Sequence, residues 1–269
     1  MHLAIIGYGN IAQAVLEWLG TKPVARLTVL VRSTSLTTAL KDEALAQAGA
    51  SVTITDDITT LIEAAPDLVV ECAGQTAVAA FGAAVLSAGL DMVIVSTGAL
   101  ADEALFDTLQ RATQSGRSRV ILPPGAIGGI DLLSALTLAG EVTVTYRGTK
   151  PPDAWRGTPA EDCCNLAALT EPCVFFSGSA REAAQTYPKN ANVAATLALA
   201  GAGFEATRVE LIADPAAPGN AHAYEVDSPV GRFAMQIDNA ASSGNAKTSM
   251  ATAFSVIREI DQIRDSLGS

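Results

Sequence analysis

The stretch Gly7-Tyr8-Gly9-Asn10-Ile11-Ala12 constrains this chain more than any other. It follows the apolar run Leu3-Ala4-Ile5-Ile6 and opens the apolar-periodic stretch Ile11–Leu19, so the local order is strand, glycine turn, helix. The first glycine makes the tight turn. The second leaves the backbone bare enough for a pyrophosphate to approach, and the helix N-terminus offers it unpaired N–H groups and partial positive charge. Ala12 stands where a small residue lets helix and strand pack closely. The pattern points to a dinucleotide, with Gly7, Gly9, Asn10 and Ile11 as candidate contacts.

The chain beyond this turn repeats the alternation. Strands are expected at Ala25–Val31, Ser51–Thr55, Asp67–Cys72, Met92–Ser96 and Arg119–Leu122, with helices at Thr38–Ala48, Ile58–Ala65, Ala77–Ala88 and Ala101–Thr113. Near-continuously apolar strands separated by helices predict a parallel sheet covered on both faces, and six strands suffice for a doubly wound, Rossmann-type nucleotide domain over residues 1–122. At Pro123-Pro124-Gly125 the pattern changes. Gly125-Ala126-Ile127-Gly128-Gly129 opens a helix over about 130–139, and longer strands follow at 141–147, 173–176, 207–213, 221–226 and 232–237. Ser179-Ala180-Arg181-Glu182 reads as a capping box, Val193–Ala200 as a second helix, and Ser228-Pro229-Val230-Gly231 as a hairpin turn. Residues 123–240 are therefore expected to form a second α+β domain with a mixed, largely antiparallel sheet. The last stretch places Phe254, Ile257, Ile260, Ile263 and Leu267 on one helical face, so 241–269 should pack back on the first domain.

Charge narrows the partners. Seventeen Lys and Arg against 28 Asp and Glu leave a net charge of −11, which repels nucleic acid and anionic membrane. No apolar run reaches the roughly 18 residues of a membrane span, and no basic segment with a cleavage site precedes the first strand. The four cysteines show neither metal-ligand spacing nor a disulfide framework, so all four are expected as buried small hydrophobes in a reducing cytoplasm. No metal site is expected.

Few residues can carry chemistry. Arg32, at the end of the second strand, stands where an acid would bind a ribose 2′-OH; with Ser33, Thr34 and Ser35 it favours acceptance of NADP, alongside NAD. His222 is one of two histidines and lies in Pro218-Gly219-Asn220-Ala221-His222, a turn entering a strand. An imidazole titrates near neutrality and can move the protons that imine chemistry requires. His2 is expected to be structural. Lys150, Lys189 and Lys247 lie at element edges and are the cations available to a substrate carboxylate. Lys247-Thr248-Ser249 lacks the glycine frame of a phosphate-binding loop.

Several longer runs are more specific: Gly125–Gly129, Ser177-Gly178-Ser179-Ala180-Arg181-Glu182-Ala183, Tyr187-Pro188-Lys189-Asn190-Ala191-Asn192-Val193-Ala194-Ala195-Thr196, Asn220-Ala221-His222 and Asn245–Ser249. Together, and in order along nearly the whole chain, they resemble the L-aspartate dehydrogenase family. The resemblance implies NAD(P)-dependent oxidation of L-aspartate to iminoaspartate, which yields oxaloacetate and ammonia or feeds quinolinate and NAD synthesis. It also implies a catalytic histidine at His222, nicotinamide-cofactor contacts at Ala126 and Asn192, and a homodimer formed on the second domain's open sheet face. Ala246 stands where the family commonly has Pro. Two other readings stay open: another NAD(P)-dependent imine or semialdehyde oxidoreductase, and an NADP-binding redox sensor without turnover, in which His222 would have no task.

Overall fold

The computed structural model describes residues 1–239 and 250–268. Lys247 and the rest of the expected Asn245–Ser249 run lie outside the described residues, as does the expected domain boundary at 240 and 241. The chain divides into two compact units, Met1–Pro123 with Thr252–Ser269, and Pro124–Ala251.

The first unit contains β1 (His2–Ile6), α1 (Asn10–Thr21), β2 (Val24–Leu30), α2 (Ser33–Ala39), α3 (Glu43–Gln47), β3 (Gly49–Thr55), α4 (Ile58–Glu63), β4 (Leu68–Glu71), α5 (Gln75–Ser87), β5 (Met92–Ile94), α6 (Glu103–Gly116) and β6 (Val120–Ile121). The strands form one parallel sheet in the order β3-β2-β1-β4-β5-β6, the doubly wound order whose ligand crevice lies beyond the carboxyl ends of the central strands. Every residue of β1 and β4 is buried, as a sheet covered on both faces requires. The helix expected over 38–48 is two helices. Asp42 ends the first register because its carboxylate accepts the Ala44 N–H and caps α3. Asp102 likewise starts α6 by accepting the Leu105 N–H, and the residues before it, Thr97–Ala101, form a 3₁₀ turn. His2 bonds Thr28 Oγ1 through Nε2 at 2.9 Å, which ties β1 to β2.

The last helix, α12, spans Met250–Ser266. Val256, Ile257 and Ile260 join Leu3, Ile5, Val15, Leu16 and Val29 in one buried cluster, with Ile263 at its margin. Its face differs from the expected one: Phe254 and Leu267 are exposed. Ala253, Val256, Ile257, Ile260 and Arg264 form the buried stripe instead. Arg264 is held there because its guanidinium donates to the Lys22 carbonyl at 3.2 Å and lies 5.3 Å from the Trp18 ring centre.

The second unit contains α7 (Ile130–Leu136), β7 (Thr143–Lys150), α8 (Ala160–Cys163), β8 (Cys173–Ser179), α9 (Ala180–Thr186), α10 (Asn192–Ala200), α11 (Gly203–Ala206), β9 (Thr207–Ala213), β10 (Asn220–Ser228) and β11 (Gly231–Asn239). The sheet order is β11-β10-β7-β9-β8, antiparallel except for the parallel pair β7 and β9. The capping box is present, Ser179 accepting from Glu182 N and Glu182 from Ser179 N. Pro229 and Val230 make the hairpin turn, with Ser228 paired to Gly231. Gly129 has φ +69°, and a Cβ there would lie 2.6 Å from Tyr224 Oη, whose hydroxyl donates to the Gly128 carbonyl at 2.6 Å. This glycine pair therefore serves the packing of Tyr224.

The cysteines differ from expectation. Cys164 and Cys173 form a disulfide, and Cys163 is exposed. The excursion between β7 and β8 returns α8 to the first residue of β8, a meeting that spacing alone does not reveal. Trp155 pins the same excursion: it packs edge-on to Phe175 and donates its indole N–H to the Ile212 carbonyl at 3.0 Å.

Because Ile260 has no exposed surface, Ile260→Ala should lower the unfolding free energy of the first unit by about 2–5 kcal/mol in urea titration. A change under about 0.5 kcal/mol would detach the last helix from that core.

Candidate active site

Two candidate regions emerge, one in each unit. In the first, a cavity of about 680 Å³ lies at the carboxyl ends of the central strands, lined by Gly7, Tyr8, Gly9, Arg32, Ser33, Ser35, Asp56 and Thr76 among others. The two glycines of the turn do different work. Gly7 has φ +115°, and a Cβ on it would stand 2.9 Å from the Cys72 carbonyl carbon and oxygen, so the fold itself demands glycine. A Cβ on Gly9 would meet nothing within 4 Å. The bare backbone there opens onto free space at the N-terminus of the 12-residue helix α1, the surroundings a pyrophosphate needs. Ala12 is fully buried against the sheet. The residues present thus fit a dinucleotide. Asn10 is exposed as the first residue of α1, and Ile11 is half-buried beside it. Arg32 is exposed at the N-cap of α2, on the cavity wall with Ser33 and Ser35.

Sequence reasoning gave Glu71 no role. This carboxylate ends β4, is fully buried, and accepts from Ala73 N and Gly74 N at 2.7 Å each, from Ser96 N at 3.0 Å and from Ser96 Oγ at 2.9 Å. Burial pushes its pKa up against the pull of those four donors. It joins the loops that follow β4 and β5 at the edge of the sheet where ligands bind in such folds.

The second region is a face of the second unit's sheet. Alternation places Tyr146, Gly148 and Lys150 of β7 on its buried side, with Asn220, His222 and Tyr224 of β10. His222 sits opposite Gly148 in the ladder. Tyr146 Oη and His222 Nδ1 share a hydrogen bond of 2.8 Å, and the two rings are nearly parallel, 20° apart. Burial first, and the nearby Lys150 charge second, push His222 down to about 4, so the imidazole is neutral at pH 7. Burial raises the Tyr146 phenol, which therefore stays protonated.

Lys150 is only 5% exposed rather than the solvated edge lysine expected of its type. Its ammonium donates to Asn190 Oδ1 at 2.7 Å and lies 5.1 Å from the Trp155 ring centre. Asn220 is also buried, and its Oδ1 has no hydrogen-bond partner, a condition that costs about 1–3 kcal/mol. Lys189 is exposed in the turn before α10, and Asn192 is the first residue of that helix. Ala126 is buried, and its carbonyl accepts from Asn239 Nδ2 at 3.4 Å. Tyr146, Asn190 and Asn220 escaped notice because nothing in their spacing shows which strands pair. The alternation Tyr146-Gly148-Lys150 against Asn220-His222-Tyr224 was the available signal. Among the described residues, no group of three or more His, Cys, Asp or Glu could hold a metal, and no helix is long and apolar enough to cross a membrane.

Comparison with known proteins divides the chain similarly. Residues 7–123 match the family model described as homoserine dehydrogenase, NAD binding domain, and residues 131–263 match aspartate dehydrogenase, C-terminal. The chain is 43% identical over 263 residues to an L-aspartate dehydrogenase of Ruegeria pomeroyi, covering 97% of this chain and 92% of that one. It is 41% identical to an L-aspartate dehydrogenase of Pseudomonas aeruginosa, covering 97% and 96%. The crystal structure of aspartate dehydrogenase from Thermotoga maritima superposes with a TM-score of 0.77 at 29% identity, over 98% of this chain and 96% of that one.

A histidine held near 4 in the folded protein and at 6.5 in the unfolded chain binds its proton earlier when unfolded. Its contribution, about 3 kcal/mol, is present above pH 6.5 and is lost as the pH falls towards 4. His222→Asn should therefore show a smaller loss of stability between pH 7 and pH 4.5 than the wild type. Superimposable pH profiles of the urea midpoint would show that the imidazole is not buried in its neutral form.

Proposed function

The chain belongs to the L-aspartate dehydrogenase family, and on that premise we propose that it oxidises L-aspartate to iminoaspartate with a nicotinamide nucleotide, reversibly, giving oxaloacetate and ammonia after hydrolysis. The observation that carries this reading is His222, buried on a polar sheet face that also carries Lys150 and hydrogen-bonded to Tyr146. A redox sensor without turnover has no use for such a group. The first unit would hold the nucleotide with Gly7, Gly9, Asn10 and Ile11, and the bound nicotinamide supplies the acceptor for the hydride that leaves Cα. Ala126 and Asn192 are further proposed contacts of the nicotinamide cofactor.

The remaining chemistry concerns protons. Oxidation of the C–N bond leaves an iminium. Water adds to its carbon and loses a proton, the nitrogen gains one, and the carbinolamine then expels ammonia, which takes up the hydroxyl proton as the ketone forms. In this reading His222 does both from Nε2, because Nδ1 is engaged by Tyr146. For Nε2 to carry the lone pair, Nδ1–H donates to Tyr146 Oη, and the protonated phenol accepts without adding negative charge. The partner thus orients the ring and leaves it neutral at working pH. Lys150 and Lys189 are the proposed cations for the substrate carboxylates. The buried Lys150 is favoured, since a cation removed from water attracts a carboxylate more strongly than a solvated one.

Arg32, with Ser33 and Ser35, supports acceptance of NADP alongside NAD. A homodimer is part of the same reading. The sheet face opposite His222 leaves Arg147 and Glu225 exposed and Thr145 and Ala223 half-buried, and β11 is a nine-residue edge strand. A cytoplasmic location, where aspartate and nucleotide are both available, and supply of the imine to quinolinate and NAD synthesis complete it. In that compartment the thiol pool would hold Cys164 and Cys173 reduced.

His222→Ala should lower turnover of L-aspartate, followed by nicotinamide absorbance, by at least about 10²-fold with nucleotide binding retained. An unchanged kcat would take the imidazole out of the reaction. Arg32→Asp should raise the Kd for NADPH at least about tenfold more than that for NADH. Equal losses would mean that the guanidinium does not read the 2′-phosphate.

A further inference from the structure

We propose that Asn220 is the acceptor for the substrate's amino nitrogen, and that Asn220 with Lys150 distinguishes the two ends of an α-amino acid. The proposal rests on the reading above and adds to it the group that recognises the amine. Two observations carry it. The first is the orphaned oxygen: Asn220 is 8% exposed, and its Oδ1 is buried without a hydrogen-bond partner. Native folds pair nearly all such acceptors, and one left without a donor on the strand face that carries His222 calls for a donor from outside the chain.

The second is register. Ala221 pairs with Thr149 and His222 with Gly148, so the same antiparallel ladder carried one residue further sets Asn220 level with Lys150. Asn220 and His222 are two apart on β10 and share its buried face. The imidazole therefore has an amide as its neighbour along the strand, and a lysine level with that residue on the adjoining strand, its ammonium held by Asn190.

The chemistry of the two groups is complementary. An amide oxygen accepts N–H and cannot bind a carboxylate, whereas an ammonium donates and is drawn to one. An amine, an iminium and ammonia all carry N–H, so the Asn220 oxygen can hold the nitrogen at every stage from amino acid to released ammonia. Its position one step from His222 keeps the nitrogen-bearing carbon near the group proposed to move protons there. The other orphaned polar atoms among the described residues, His2 Nδ1 and Thr207 Oγ1, lie at the first residues of β1 and β9 without this combination of neighbours.

Asn220→Leu removes the acceptor at similar volume. Because the lost oxygen had no partner in the free protein, the variant should unfold at or above the wild-type urea midpoint. In the reductive direction its KM for ammonium should rise at least about tenfold, while KM for oxaloacetate and for the nucleotide stay within about twofold. Asn220→Asp keeps an acceptor and should hold the ammonium KM within about threefold of wild type. An unchanged ammonium KM in the leucine variant, equal rises for ammonium and oxaloacetate, or loss of the fold in both variants would overturn the assignment. Failure of the underlying reading has its own signature: wild-type protein that forms no reduced nucleotide from L-aspartate would remove the reaction, and this role with it.

Discussion

The missing side chain of Gly148 is the constraint on which the polar face around His222 depends. A Cβ at that position would lie 2.6 Å from Tyr146 Oη and 3.1 Å from Cζ, so the phenol can arch over the strand only because residue 148 is glycine. Gly148 is also the ladder partner of His222. The vacancy across from the imidazole is filled by a hydroxyl borrowed from two residues earlier on the same strand. Any larger residue at 148 would displace the phenol and leave Nδ1 to find another partner or none. The tautomer of the histidine, its orientation and its burial all follow from one absent methyl group.

The polar face also shows how an imidazole is kept neutral in an acidic protein. A carboxylate in place of Tyr146 would raise the imidazole pKa, and a fully apolar setting would leave Nδ1 unsatisfied. A phenol of raised pKa does neither. Lys150 reinforces the effect by opposing a second positive charge, and it tolerates burial because Asn190 and the Trp155 face share its ammonium. Trp155 belongs to the excursion between β7 and β8, so a segment with no regular place in the sheet helps to set the electrostatics of its centre.

The nucleotide half of the molecule was readable from sequence because its information is local. Glycine turn, apolar strand and helix follow one another within twenty residues, and parallel order then follows from the handedness of each crossover. Breaks in that reading came from single side chains. Asp42 splits a helix that periodicity would run straight through, and on the last helix Arg264 is buried while Phe254 faces outwards. The second half resisted because its site is assembled by pairing. His222 could be singled out as a residue type, but Tyr146 lies 76 residues away on a strand whose partner no local pattern names. The same blindness hid the Cys164–Cys173 meeting and made Lys150 look like a surface lysine.

The last helix completes the core of the first unit, although the whole second unit intervenes in the chain. During synthesis the first six strands leave the ribosome before the residues that cover them exist, and Leu3, Ile5 and Leu16 wait for Val256 and Ile260. The nascent nucleotide unit must therefore travel with part of its greasy flank uncovered while well over a hundred further residues are made, which is when a chaperone would have something to hold. Completion of that half is thereby deferred until the second unit has been made, so a ribosome that stops before the last helix releases a chain whose nucleotide half lacks its seal.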